Sequence, residues 1–301
     1  TWISQKIDAL LREGHSDIEG ARISPHQFAV LARNRYVFNP LIKLFDEQKK
    51  EYNLRISTNQ GLLSESVFFK LFDLGLRIIM NKNDVLHLSE MVSMLGKTSN
   101  LITTFDALKT SEALSNSIGS NGATAINSAW HSIQTSKNSF RFDRILEILS
   151  SYCETENNFA DDNERSLIYN DYLSWRERWN TYVKNSSIED RSLAHMMRSI
   201  ALGITNISKE SGITLSTVHM SKGLEFDIVF IIGLNEGVFP DYRSLNDVTQ
   251  LSEEQHNMFV SITRSKRLCY LTCPKKRIMP WGDSRNQSPS RYITQLVEPN
   301  I

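Results

Sequence analysis

The sequence predicts an α/β protein whose parallel-sheet domain is split by a largely α-helical insertion. Three observations predict it. Short apolar runs of strand length alternate with helical patterns at both ends of the 301-residue chain. The middle carries helix-period apolar faces almost without a break. Gly, the residue of tight turns, is sparse in that middle.

Residues 2–13 (WISQKIDALLRE) place Ile3, Ile7, Leu10 and Leu11 on one helical face. QFAVLAR (27–33) reads as a short buried strand, and 40–52 as a helix with Pro40 at its start. LRIS (54–57) is a second strand. From 65 to about 202 the segments VFFKLFDLGLRIIM, DVLHLSEMVSML, FDRILEILSSY, SLIYNDYLSWRERWNTYV and SLAHMMRSIAL are all amphipathic helices. The breaks between them, NSIGSNGAT (116–124) and ETENNFADDNE (154–164), read as loops. From Ile213 the α/β character returns: ITLSTVH and DIVFIIGL as strands, EEQHNMFVSIT as a helix, RLCYLTC as a third strand, SRYITQLV as a closing helix. Chain ends at a loop tip lie close together, so an insertion of this size is tolerated there.

Lys+Arg and Asp+Glu both number 34, so no global basic field supports nucleic-acid binding, and only a local groove stays open. Cys153, Cys269 and Cys273 are too few for a disulfide framework and read as thiols in a reducing, cytoplasmic setting. No His/Cys spacing suggests a metal site. No run of eighteen apolar residues suggests a membrane span. The chain starts at Thr1, already inside a helical pattern and without Met, which suggests a piece of a longer protein.

The chemistry concentrates in TVHMSKGLEFDIVFIIGLNEGVFP (217–240). It reads as strand, tight loop, strand, and ligands of parallel α/β sheets bind at the carboxyl ends of strands. Gly223 permits a sharp turn or a close approach. Glu225 can accept hydrogen bonds from sugar hydroxyls, and Thr217 and His219 can donate to a phosphodiester. Equally, Glu225 and Lys222 are read as solvated loop charges. In FVSITRSKRLCYLTC, Met258, Phe259 and Ile262 form an apolar helix face, and Arg264 follows at the helix end. An Arg there can reach across a cleft, or simply stabilise the helix dipole.

Together these segments resemble motifs V and VI of the UvrD/Rep (PcrA-like) superfamily 1 DNA helicases. The first resembles that family's T-x-H-x-x-K-G-L-E-F segment with its buried strand and G-x-F-P. SEEQHNMFVSITRSKRLCYLTC resembles its motif VI helix and strand, SPSRYITQL its P-S-R-F segment, and FAVLARNR its A-V-L-x-R-x-N strand. SESVFFKLFDLGLRIIMNKNDVLHLSEMV resembles the first helices of its inserted 2B domain. The resemblance implies a RecA-like (P-loop NTPase-type) domain 2A at 1–60 and 206–301, interrupted by the helical domain 2B at 61–205. It implies that Arg264 reaches the γ-phosphate of ATP and Glu225 the ribose, with Gly223 and Lys222 shaping that loop. It implies that Thr217, His219 and Arg33 face single-stranded DNA.

The departures are Gln255, His256 and Asn257 in place of Arg-x-Leu, Ser265 after Arg264, and ARNR at 32–35. No G-x-x-x-x-G-K-[ST] occurs anywhere. Asp46-Glu47 sits inside an amphipathic helix and is rejected as a Walker B pair. The phosphate lysine, the Mg²⁺ carboxylate and the water-activating glutamate are therefore expected in an N-terminal motor domain, making this loop half of a site. The expected whole is a 3′ to 5′ ATP-dependent helicase acting on single-stranded DNA and on single-/double-strand junctions. Repair or replication proteins are expected to dock on the insertion, and no membrane is involved. The same module in an AddA/RecB-type nuclease-helicase, or a non-catalytic docking module with relic motifs, are the other readings. Trp175 and Trp179 are expected to pack a helix face rather than stack bases, and His131 and His195 to be ordinary helix residues.

Overall fold

The structure is a computed structural model. It describes residues 2–18, 22–55, 64–96, 102–135, 142–159, 161–187, 191–201 and 212–297. The chain divides into two compact units. One combines Thr1–Ser57 with Ile207–Ile301, and the other is Thr58–Asn206. The expected strand end at 56–57 and the expected boundaries near 60 and 205 lie outside the described residues.

The first unit is built on a five-stranded parallel sheet. In chain order its strands are β1 (Phe28–Ala32), β2 (Tyr52–Arg55), β3 (Ile213–Thr217), β4 (Phe226–Ile232) and β5 (Ser265–Leu271), and in space they run β2-β3-β1-β4-β5. Every pairing is parallel. β1 lies in the middle, and all five of its residues are buried. Both faces of the sheet are covered, so the strand reads as a continuous apolar run rather than an alternating one. Phe28, Val30 and Ala32 point to one face. There they join Phe230 and Ile232 of β4, Ile7 and Leu10 of helix α1 (Trp2–Glu13), and Leu41 and Phe45 of α2 (Asn39–Glu47). Ala29 and Leu31 point to the other face, with Val229 and Ile231. They meet Met258 of α10 (Val248–Ile262) and Tyr292 of α11 (Arg291–Val297). A hairpin of β6 (Lys276–Ile278) and β7 (Ser284–Asn286) precedes α11.

Segment 217–240 departs from the expected strand, tight loop, strand. β3 and β4 do not pair with each other. Both pair with β1, from opposite sides and in the same direction. A parallel pair cannot be closed by a hairpin turn. Residues 218–225 are therefore a crossover that runs from the carboxyl end of β3 to the amino end of β4. Helix α2 ends at Glu47, short of the expected residue 52, because Tyr52 is already paired in β2. Asp46 and Glu47 do lie inside that helix.

The second unit is all helix among its described residues. It comprises α3 (Val67–Met80), α4 (Val85–Met94), α5 (Phe105–Lys109), α6 (Glu112–Thr135), α7 (Phe142–Glu154), α8 (Asp162–Asn185) and α9 (Leu193–Ala201). Phe68, Phe69, Leu71, Phe72, Leu74 and Leu76 of α3 are buried against Trp130, Phe142, Trp175 and Trp179. Trp175 and Trp179 are thus core residues, with ring N–H groups donated to Ser64 Oγ and Asp143 Oδ1. His195 packs on Tyr182 and hydrogen-bonds its hydroxyl. The start of α3 is tied to α8: Asp171 accepts from the backbone N–H of Glu65 and Ser66 and from Ser66 Oγ. Ser66 Oγ in turn accepts from Phe69 N and so caps the helix.

The expected loop at 116–124 is helix. α6 runs through it with one kink at Gly119, whose φ is 73°. Ala123, Ile126, Ala129, Trp130 and Ile133 are buried at helical spacing, and their burial carries the polar residues into the helix. Thr124 and Ser128 donate to the carbonyls four residues back, which satisfies their hydroxyls locally.

Gly75 lets α3 and α6 approach: a Cβ there would lie 2.3 Å from the Trp130 ring, which is fully buried and hydrogen-bonded to the Phe72 carbonyl. Gly75→Ala is expected to destabilise the helical unit by about 1–3 kcal/mol, despite the better helix propensity of Ala. Denaturant unfolding checks it, and an unchanged midpoint would contradict the packing described.

Candidate functional site

The candidate residues fall at two opposite edges of the sheet, joined by two connections that cross it. At the carboxyl edge, Thr217 ends β3 and pairs with Ala32, so Thr217 and Arg33 are neighbours there. Val218 N donates to Ala32 O, which anchors the crossover to β1. Thr217 is half-buried and His219 exposed. Lys222 and Gly223 follow, both exposed, and Gly223 takes φ 82°. No neighbour stands within 4 Å of the Cβ position there, so the requirement for Gly is the left-handed backbone itself.

Glu225 and Arg264 come together at the amino edge, not at the carboxyl ends of strands where ligands of such sheets were expected. The reason is the crossover. It delivers Glu225 to the start of β4, while α10 runs back down the sheet and delivers Arg264 to the start of β5. Phe226 pairs with Ser265. Phe226 N donates to Arg264 O at 2.9 Å, and Arg264 Nη1 donates to Leu224 O at 3.0 Å. Arg264 Nε donates to Val260 O and Nη2 to Thr263 Oγ1. Among the described residues, three of the five guanidinium N–H donors are thereby engaged, all with uncharged acceptors. The bond to Val260 O satisfies a carbonyl at the helix end, so the helix-capping reading of this Arg also holds. Glu225 is exposed, with Lys266 Nζ 3.8 Å from its carboxylate. β5 carries an irregularity beside this pair, between Phe226 and Ile228 of its partner.

Met258 is buried and Ile262 half-buried, as a shared helix face requires, but Phe259 is 67% exposed. It sits about 100° further round the helix than Met258.

The carboxyl edge holds a network that no motif announced. Arg33 Nε lies 2.7 Å from Glu254 Oε1, and the Glu254 side chain is only 3% exposed. Glu254 also accepts from Asp241 N and from Asn257 Nδ2. Asp241, itself buried, accepts from Asn34 Nδ2 and from Arg243 Nε and Nη2. Burial by itself would raise the Asp241 carboxyl. The Arg243 hydrogen bonds and charge, with Asn34, outweigh it and hold the group below the ordinary value of 3.8. Glu254 had a signal in the sequence: with Met258 and Ser261 it forms the buried stripe of α10. A Glu on an apolar stripe needs a buried partner. Asp241 had none. Nearby, Arg277 of the hairpin stacks on Tyr36, and Glu236 pairs with Arg291 of the S-P-S-R segment.

Among the described residues no group of three His, Cys, Asp or Glu could hold a metal ion, and no helix is long and apolar enough to cross a membrane. The three cysteines are unpaired by disulfides.

The fold and its two linked edges define a RecA-like α/β domain interrupted by a helical insertion. Residues 120–276 match the model of the UvrD-like helicase C-terminal domain, and the chain belongs to that family. It is 28% identical over 247 residues to an ATP-dependent DNA helicase PcrA of Staphylococcus epidermidis, covering 74% of this chain and 33% of that protein. It is 35% identical over 121 residues to a PcrA of Staphylococcus aureus, covering 39% of this chain and 16% of that protein. The chain thus spans about a third of the length of the S. epidermidis relative.

Asp241 has a depressed pKa, so its contribution to stability is complete above the ordinary carboxylate value and is lost as pH falls through the depressed one. Asp241→Asn is expected to cost the α/β unit about 2 kcal/mol at pH 7, and the gap from wild type should close in acid. Unfolding curves between pH 7 and pH 2 measure this. A gap that does not narrow would contradict the assignment.

Proposed function

We propose that this chain is the second motor half of an ATP-dependent DNA helicase or translocase moving 3′ to 5′ on single-stranded DNA. Domain 2A (1–60 and 206–301) is one wall of the ATP site, and domain 2B (61–205) is its helical insertion. The observation that carries the reading is the placement of Arg264. Its backbone and guanidinium are both fastened to the crossover beside Glu225, on an edge where both charged side chains reach the surface.

An exposed carboxylate and a partly exposed guanidinium on one edge fit a nucleotide held against that edge by a second domain. When bound, ATP supplies the phosphoryl group whose transfer to water drives the motor. Arg264 places a fixed positive charge where negative charge builds on that group. Its engaged N–H groups meet neutral carbonyls and a hydroxyl, so its charge is not spent on a carboxylate of its own. Glu225 accepts from ribose hydroxyls once drawn from Lys266. Gly223 gives the crossover its turn, and Lys222 shapes the same loop. Phe259, exposed on the finger-bearing helix, supports an apolar seat for the opposing motor domain. That domain would carry the phosphate-binding lysine and the Mg²⁺ ligands. Thr217 and His219 open onto the other edge, beside Arg33, and are the residues proposed to face the DNA strand. Repair or replication proteins are proposed to dock on 2B.

The PcrA relatives are named as ATP-dependent DNA helicases, which supports the same reading. Arg264→Ala in the intact protein is expected to lower the single-strand-stimulated kcat by roughly 10³-fold or more, with nucleotide binding and melting temperature retained. An unchanged rate would sink the motor reading. The chain by itself is expected to turn over no ATP, and turnover by the purified chain would refute the half-site.

A further inference from the structure

Arg33 was expected to face DNA, yet its guanidinium ends on a carboxylate buried inside the protein. The Nε–Oε1 distance to Glu254 is 2.7 Å, the Arg33 side chain is 27% exposed and that of Glu254 is 3% exposed. Glu254 is fixed on its other oxygen by Asp241 N. It lies on α10, ten residues before Arg264, or about 15 Å along the helix. α10 is therefore held at two points: near the carboxyl edge by Arg33, which directly follows the last residue of β1, and at the amino edge by Arg264 on the Leu224 carbonyl. The crossover is joined at the same two levels, by Val218 on Ala32 and by Phe226 on Arg264. Helix and crossover thus form two sides of a closed frame across the sheet face. A displacement of Arg33 cannot leave α10 in place without breaking a buried, hydrogen-bonded ion pair.

We propose that Glu254 is a positioning residue that ties the strand-facing edge to the arginine finger: Arg33 and Glu254 form the upper joint of a rigid α10, and Leu224 and Arg264 the lower one. The inference rests on the motor reading above. Arg33 then works chiefly by carrying the state of the DNA edge into α10, and only secondarily as a phosphate contact. Losing the joint loosens the finger, and a misplacement of about 1 Å at a catalytic group costs roughly 100-fold in rate.

The test uses the intact protein with Glu254→Gln, which keeps the shape of the side chain and removes its charge. It also uses Arg33→Lys, which keeps the charge and loses the Nε geometry, together with the double variant and Arg264→Ala. Steady-state ATPase with and without saturating oligothymidylate gives the stimulation ratio and the KM for ATP. Anisotropy of a labelled strand gives the DNA Kd. Glu254→Gln and Arg33→Lys are each expected to lower the stimulation ratio roughly 10- to 100-fold, through kcat rather than KM, with DNA Kd within about threefold. The double variant should be no worse than the weaker single, because both remove one contact. Arg33→Lys stands in should Glu254→Gln not fold. A wild-type ratio in the folded variants, or an Arg33→Lys effect confined to DNA Kd and its salt dependence, overturns the proposal. If Arg264→Ala keeps full kcat, the motor reading itself fails; if Arg264→Ala collapses while the joint variants do not, only the positioning role fails.

Discussion

Everything in the α/β unit depends on β1 being paired on both sides. Its five buried residues accept β3 on one edge and β4 on the other, and the two partners come from a stretch of chain nearly two hundred residues away. Because all three strands run the same way, no turn can link β3 to β4 directly. The chain has to travel back across the sheet, and that journey is the segment 218–225. The same constraint sends α10 across the sheet between β4 and β5, in the usual strand–helix–strand crossover. The two charged groups that meet at the amino edge, Glu225 and Arg264, are the ends of these two returns.

The helical unit solves a different problem. With no sheet to bury against, it builds a core from large aromatics at close helix contacts, Trp130 over Gly75 being the tightest of those described. Polar residues enter this core only with partners: Trp175 with Ser64, Trp179 with Asp143, Asp171 with the start of α3. Burial raises the Asp171 carboxyl above its ordinary value even against the Ser66 and Glu65 donors, which measures how dry that joint is.

The electrostatics of the α/β unit follow the same economy. The chain is neutral as a whole, so its chemistry rests on local arrangement rather than on a field. Where a carboxylate is buried, as at Asp241 and Glu254, guanidinium groups and backbone amides surround it. Where charges are exposed, as at Glu225 and Lys266, they stand farther apart at 3.8 Å. A pair of that kind contributes little to stability, which leaves Glu225 able to change partner at small cost.

Most of the element plan was legible in the sequence because burial writes a period. FAVLA and DIVFII are apolar on both faces and so belong to a covered parallel sheet; the stretch between them repeats every three to four residues and so is helical. Pattern also misled where it was weakest. NSIGSNGAT looks like a loop by composition, yet apolar residues on its C-terminal side hold it in a helix. Phe259 reads as core beside Met258, yet lies outside. The residue types of the candidate site, a Gly at a turn, a Glu and an Arg at element ends, were visible in their segments. Their meeting was not, because adjacency at a sheet edge depends on strand order, and strand order has no local signature in a chain. Which strands flank β1, which edge receives Arg264, and which buried carboxylate claims Arg33 were decided only when distant segments packed together. The sequence by itself determined the elements and their chemistry, since these follow from local pattern; the tertiary structure alone decided which of them face each other, since that follows from pairing across the whole length of the chain.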